Sequence, residues 1–255
     1  MAPPLFVGVA VALVTLFDDN GDLDAKATAK HAATLVDLGV RAVVVAGSTG
    51  EAGTLTDEER TALLIEVRQA VPSGIPVLAG TGAPSRRQAA VLTRAAVDHG
   101  TNGMLVLSPP GAGDLRGYYE TVAAAAGELP VLAYHYPKTS PPGIPVELLG
   151  ELPVQGLKDS SGDPNRLLAE LTGYDGWLYV GSSAVLSLAG PLGAHGAILA
   201  LANAEPERCI AAFAGDADAQ LALAEAHMAA RRNFPHGLKA LVAARFGTSR
   251  VARLG

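Results

Sequence analysis

Along the chain, unbroken apolar runs alternate with longer stretches in which apolar residues recur at helical spacing. The runs cover residues 7–17, 42–46, 76–80, 103–107, 130–136, 154–158, 177–180 and 196–201. None alternates apolar with polar positions, as a strand with one wet face would. Continuous apolar runs are what parallel strands need when helices cover them on both sides.

The intervening stretches carry helix start signals. Thr56-Asp57-Glu58-Glu59 reads as a capping box, and Ser85-Arg86-Arg87-Gln88 repeats its logic. Glu205-Pro206-Glu207 puts proline at a first helical position with acids beside it. In the segment after Thr56, Leu63, Leu64 and Val67 form the apolar stripe, while Arg60 and Glu66 can face water.

Eight strand–helix units predict an α/β fold, a (β/α)8 barrel of the TIM type with a short C-terminal helical extension. Residues 1–205 would form the catalytic barrel, and 206–255 its last helix and shortened C-terminal helices. Two of those further helices are expected over 217–231 and 235–246. A doubly wound open sheet is the competing architecture. No Gly-x-Gly-x-x-Gly follows the first run, which counts against it.

Composition narrows the picture. The chain has 255 residues, 49% hydrophobic and only 17% charged, which suits one large core. A formal charge of −6 with no basic run argues against a nucleic-acid surface. Cys209 is the lone cysteine, so no disulfide framework exists and a cytoplasmic setting is expected. The run from Leu5 to Phe17 resembles the core of a leader peptide. No Lys or Arg precedes it, and it is too short to span a bilayer, so it reads as the first strand.

Active sites of such barrels form at the C-terminal ends of the strands. Few polar residues fall there: Gly47-Ser48-Thr49-Gly50-Glu51 after the second run, Tyr134 in the fifth, Lys158 in the sixth, and Gly181-Ser182 after the seventh. A lysine in water titrates near about 10.4 and is almost never nucleophilic at neutral pH. Burial in a barrel mouth disfavours the ammonium. A neutral amine can then attack a ketone and form a Schiff base, which acts as an electron sink. Tyr134, on the neighbouring strand, can shuttle the protons this requires. The competing reading is a plain Lys158–Asp159 ion pair, but strand alternation sends those two side chains to opposite faces.

The stretches "GSTGE", "YHYP", "GLKDSSGD" and "GAHGAILALANAEPE", in this order and at these positions, resemble the dihydrodipicolinate synthase/N-acetylneuraminate lyase family. The resemblance spans residues 4–206. It implies a class I pyruvate-dependent aldolase on a (β/α)8 barrel, with no metal or organic cofactor. Its partners would be pyruvate and an aldehyde or 2-keto acid, with no nucleic acid or membrane, in a homo-oligomer. By position, Lys158 matches the Schiff-base lysine and Tyr134 the proton-relay tyrosine, with Ser48 on the relay beside it. Thr49 matches the group that binds the pyruvate carboxylate, and Gly181 and Ile198 match positions lining the pyruvate pocket. Gly47 and Gly50 are read as serving loop conformation, and Glu51 as a buried loop anchor rather than a catalytic acid.

Departures from the family pattern bear on the aldehyde. The synthases place an arginine five residues after the relay tyrosine, to hold the carboxylate of aspartate semialdehyde; here Thr139 stands there. They also take a tyrosine from a neighbouring subunit, where this chain has Gly111 in "SPPGAGD". Tyr118 and Tyr119 lie further on and are expected to pack. The chain also stops several tens of residues short of typical members. The hydroxyls of Thr139 and Ser140 suit a neutral or polyhydroxylated aldehyde, with Lys138 pointing away. Arg116 is the residue that could replace the missing arginine by folding over the mouth. "YHYP" is nearer to the 2-keto-3-deoxy-sugar-acid aldolases. The alternatives are 4-hydroxy-tetrahydrodipicolinate synthase and a non-catalytic keto-acid-binding barrel. His31, His99 and His227 are expected on helix surfaces, His135 and His195 in packing, and Trp177 in the core or at the rim.

Overall fold

The computed structural model describes residues 3–254. Eight strands, β1 (Gly8–Ala12), β2 (Val43–Val45), β3 (Val77–Gly80), β4 (Gly103–Leu107), β5 (Val131–His135), β6 (Gly156–Asp159), β7 (Trp177–Val180) and β8 (Gly196–Leu199), fall on the eight apolar runs. Each pairs in parallel with its sequence neighbours, and β8 pairs with β1 to close the barrel.

The first run is the one most shortened. Leu13 N–H still donates to Val44 O (2.9 Å), but beyond it the residues stay buried and bond to side chains instead of the sheet. Val14 N–H donates to the Asn203 side-chain oxygen (3.0 Å) and Leu16 N–H to the Thr28 hydroxyl (2.9 Å).

Seven helices follow the strands: α1 (Ala25–Asp37), α2 (Asp57–Ala70), α3 (Arg86–Asp98), α4 (Leu115–Ala126), α5 (Pro164–Gly173), α6 (Leu186–Ala189) and α7 (Pro206–Phe213). Three more complete the chain: α8 (Ala217–Ala222), α9 (Ala224–Arg232) and α10 (His236–Phe246). The expected helix over 217–231 is thus two, broken at Leu223. Between β5 and β6 there is only a 3-10 turn, Val146–Glu151, instead of an α-helix. Pro137, Pro141, Pro142 and Pro145 precede it, and proline removes the N–H donors a helix interior needs.

The capping box forms as read: Glu59 N–H donates to the Thr56 hydroxyl, and Thr56 N–H to the Glu59 carboxylate. At Ser85 the hydroxyl caps Gln88 N–H, but it donates to the Gln88 side-chain oxygen.

Two apolar layers result. Inside the barrel, Ala10, Val44, Leu78, Leu105, Leu132, Trp177, Tyr179 and Ile198 pack together. Outside, the alternate strand residues, among them Val11, Val45, Val106, Leu157 and Val180, pack against the helices. Strand alternation therefore decides which polar side chains reach the barrel mouth.

Candidate active site

On β6, Leu157 packs outward and Lys158 turns inward. In register, Lys158 stands between Tyr134 on β5 and Tyr179 on β7. The Lys158 Nζ lies 4.2 Å from the centre of the Tyr134 ring. Lys158 is only 4% exposed, and burial lowers its ammonium from an ordinary 10.5 to about 7. Among the described residues it has no carboxylate partner within ion-pair distance. Asp159 turns away: its carboxylate accepts from the N–H and hydroxyl of Ser161 (2.8 and 2.7 Å) and faces Arg166 at 3.8 Å. The simple Lys158–Asp159 pair is absent.

Burial drives the Tyr134 phenol well above its ordinary value, against the opposing hydrogen bonds of Ser160 and Ser48. The phenol keeps its proton and meets the hydroxyls of Ser160 and Ser48. Gly181 acts by being small. A Cβ there would lie 2.8 Å from the Lys158 Cε and would collide with the Ser160 hydroxyl. It makes the space that the lysine stem fills.

Ser48 and Thr49 sit in a single 3-10 turn, Ser48–Gly50, after β2. Two non-glycine residues in left-handed conformation flank it, Ala46 (φ 51°) and Glu51 (φ 54°). Each costs on the order of 1 kcal/mol or more, so surrounding contacts must hold them. Gly50 lets the turn approach the chain after β1: its carbonyl accepts from the Thr15 hydroxyl (2.8 Å), and a Cβ would lie 2.9 Å from that oxygen. Glu51 is 1% exposed, a buried anchor as the sequence suggests.

These groups line a cavity of about 330 Å³ that includes Ser48, Thr49, Tyr134, Lys158 and Gly181. Two expected members do not line this cavity. Ile198 is fully buried in the inner barrel layer, opposite Ala10, and does not line the cavity. Thr139 is exposed and lines a neighbouring depression with Arg60, Arg87 and Leu254, which shares Ser48 with the cavity. The neighbouring Ser140 is buried and donates its hydroxyl to Ser108 O. Of the hydroxyl pair invoked for a neutral aldehyde, Ser140 is therefore withdrawn from the site, while Thr139 stands beside it across Ser48.

Lys138 does line the cavity, contrary to the expected outward turn. Arg116 does not; it pairs with Glu120 on the exposed face of α4 (3.0 Å).

Sequence reasoning missed one wall entirely. His227, Ala230, Arg231 and Phe234 close the cavity from α9 and the turn after it, so the segment beyond residue 205 contributes to the site. Their spacing of three, four and seven marks one helix face, but nothing in the sequence says what that face covers. His227, expected on a surface, has its Nδ1 2.8 Å from the Ser183 hydroxyl, which also lines the cavity. Burial lowers the His227 imidazole, helped by the nearby Arg231. No Asp or Glu lines the cavity, whereas Lys138, Lys158 and Arg231 do.

The other histidines divide. His31 is buried against Phe246, not on a surface as expected, and burial lowers it to about 4. His99 is exposed. His135 packs outside β5, accepting from Ile144 N–H (2.9 Å), and burial lowers it to about 4. His195 accepts from Leu178 N–H (3.2 Å), and Trp177 lies in the inner barrel layer. Tyr118 and Tyr119 are buried in α4 and donate to Ala83 O and Val106 O, both at 2.9 Å. Gly111 holds a positive-φ turn, its N–H donating to Pro141 O (2.8 Å). Among the described residues, no helix is long and apolar enough to cross a membrane.

Comparison with known proteins agrees with this geometry. The model of the dihydrodipicolinate synthetase family matches residues 5–244. A 4-hydroxy-tetrahydrodipicolinate synthase of Salinibacter ruber is 35% identical over 233 residues, covering 86% of this chain and 76% of its own. The crystal structure of YagE from E. coli K12, a prophage protein of the dihydrodipicolinic acid synthase family in complex with pyruvate, superposes with a TM-score of 0.90. The identity is 25%, and the match covers 98% of this chain and 92% of that one. The chloride-inhibited dihydrodipicolinate synthase of Acinetobacter baumannii, also complexed with pyruvate, gives a TM-score of 0.84 at 28% identity, covering 98% and 94%. With a family match over nearly its whole length and the barrel those relatives share, this chain belongs to the dihydrodipicolinate synthetase family.

Proposed function

We propose that the protein is a class I aldolase, a carbon–carbon lyase that forms or cleaves a 2-keto acid through a Schiff base between Lys158 and pyruvate. One observation carries this reading: a buried lysine with a lowered ammonium value stands at the C-terminal end of a barrel strand, beside a protonated tyrosine.

In the synthetic direction, the neutral Lys158 amine attacks C2 of pyruvate, and Tyr134 passes a proton to the oxygen. The carbinolamine loses that oxygen as water, leaving an iminium. The iminium draws electrons from C3, whose proton leaves to give an enamine. The enamine carbon bonds to the aldehyde carbon, and the aldehyde oxygen takes a proton. Water then hydrolyses the C=N bond, releasing a 4-hydroxy-2-keto acid and the free lysine. Ser48 extends the relay from Tyr134, and Thr49 holds the pyruvate carboxylate. The 2-keto-3-deoxy acids are the hydroxylated members of that product class. A cytoplasmic homo-oligomer belongs to the same reading, with the buried lone Cys209 in support of the compartment.

Lys138 and Arg231, in a wall with no carboxylate, favour an aldehyde with an anionic end. That makes 4-hydroxy-tetrahydrodipicolinate synthesis, from pyruvate and aspartate semialdehyde, the second reading. Incubation with pyruvate and sodium borohydride, followed by peptide mapping, tests the chemistry common to both. A reduced pyruvyl adduct on Lys158 is expected; no adduct, or one on another lysine, refutes the assignment.

A further inference from the structure

We propose that Lys239 and Arg253 are positioning residues for the turn that carries Ser48 and Thr49, acting through Glu51. None of the three lines the Lys158 cavity. Glu51 instead lines the neighbouring depression, which shares Ser48 with the cavity. One Glu51 carboxylate oxygen lies 2.5 Å from the Lys239 ammonium, and both side chains are fully buried. The other oxygen accepts the backbone N–H of Arg253 (2.7 Å) and of Leu254 (2.8 Å).

The C-terminal segment that supplies those N–H groups is itself fastened. Lys239 donates to Val251 O (2.6 Å). The Arg253 guanidinium grips both oxygens of Glu59 (2.6 and 2.8 Å) and donates to Thr54 O (3.0 Å) and Gly21 O (2.7 Å). Both cations stand 4.4 Å from the centre of the Phe17 ring. Burial lowers the Lys239 ammonium, and Glu51 opposes that fall. A buried carboxylate without partners is costly, so Glu51 goes where its cation and N–H donors are.

That constraint reaches the site through one residue. Glu51 has a left-handed backbone, which a non-glycine residue does not adopt unaided. The bonds that close the turn run through it and its neighbours: Gly50 N–H to Gly47 O, Glu51 N–H to Ser48 O, and Ala52 N–H to Gly47 O. Without the anchor, Glu51 can return to ordinary backbone and carry Thr49 and Ser48 away from Lys158. Residues some 200 positions later in the chain thus set the geometry of the pyruvate end of the cavity.

The kinetic consequence rests on the aldolase reading; the structural one does not. In the full chain, Arg253→Ala and Lys239→Met are compared with the parent by backbone hydrogen exchange. The amides of Gly50, Glu51 and Ala52 should exchange at least about tenfold faster while β5 and β6 keep their protection. Arg253→Lys should restore part of that protection. With kcat normalised to the Lys158 sites trapped by borohydride at saturating pyruvate, Arg253→Ala should raise the pyruvate KM by about tenfold, more than it lowers kcat. Unchanged exchange in the turn, or loss spread evenly over the barrel, overturns the proposal. If the parent forms no pyruvate adduct, the aldolase reading fails, while the exchange comparison still decides the positioning role. Altered exchange with an unchanged pyruvate KM confines the anchor to local stability and overturns its role at the site.

Discussion

The Lys158 ammonium stands over the Tyr134 ring, 4.2 Å from its centre, on adjoining strands in direct register. An aromatic face favours a cation, yet burial outweighs it and brings the lysine to about 7. On the Schiff-base reading proposed above, the attacking species is the neutral amine. The rate of borohydride-trapped adduct formation at subsaturating pyruvate should therefore rise with pH through an ionisation near 7, and Lys158→Ala should abolish it. A profile that rises only towards the ordinary lysine value would show that the amine is not desolvated in the working enzyme.

The same ionisation enters stability. The folded value lies below the ordinary 10.5, so the unfolded chain holds a proton that the native state releases between those limits. Stability gained from this group rises with pH across that window, and below it the buried ammonium is a net cost. Lys158→Met, similar in length and uncharged, should raise Tm at pH 6–7 and flatten the slope above it. Thermal melts across that pH range check both, and a lower Tm for the variant would contradict the argument.

Tyr134→Phe keeps the ring against Lys158 and removes only the hydroxyl that meets Ser48 and Ser160. General acid–base groups contribute about 10²–10⁴-fold, so kcat should fall by that order while pyruvate affinity changes little. Ser48→Ala should show a smaller loss of the same kind. Steady-state kinetics beside equilibrium pyruvate titration separate the two effects.

Gly181→Ala tests packing at the lysine. The added methyl would stand 2.8 Å from the Lys158 Cε and overlap the Ser160 hydroxyl, so one of them must move. The variant should fold, since its backbone angle is not in the left-handed range, but trap pyruvate at least about tenfold more slowly. Normal trapping would show that the stem has slack the packing does not suggest.

How far the sequence could be read follows from what each signal encodes. Continuous apolar runs report strands buried on both faces, and all eight strands fell on them. Period-two alternation then puts Lys158 and Asp159 on opposite faces of β6, and the need of a barrel mouth for polar groups turns Lys158 inward. It could not place Thr139 or Ser140, which lie in a proline-rich loop where no repeat fixes side-chain direction. Lys138 accordingly lines the cavity instead of turning away, and Thr139 lines the depression next to it. Arg231 and His227 escaped because a helix face can be recognised without knowing what it packs on. The bond from Arg253 N–H to Glu51 joins residues whose contact no local pattern records.

The final prediction concerns the aldehyde. The cavity wall carries Lys138 from the β5 loop and Arg231 from α9, and neither has an ion-pair partner among the described residues. No carboxylate shares the wall with them, although the chain as a whole is negative by 6. Local positive potential in an acidic protein raises the concentration of anionic substrates at the mouth. Guanidinium also offers a planar fork for carboxylate or phosphate. At saturating pyruvate, aldehydes ending in a carboxylate or phosphate should exceed neutral glyceraldehyde in kcat/KM. Arg231→Ala and Lys138→Ala should each raise KM for the anionic aldehydes by about tenfold, leave neutral aldehydes nearly unaffected, and spare pyruvate trapping at Lys158. Added salt should reproduce part of the loss, because both side chains are exposed to screening ions. If glyceraldehyde outperforms every anionic aldehyde, the two cations serve another purpose and the neutral-aldehyde expectation drawn from Thr139 returns. Aspartate semialdehyde and a phosphorylated hydroxyaldehyde, run side by side, distinguish the synthase from a sugar-acid aldolase within the anionic class.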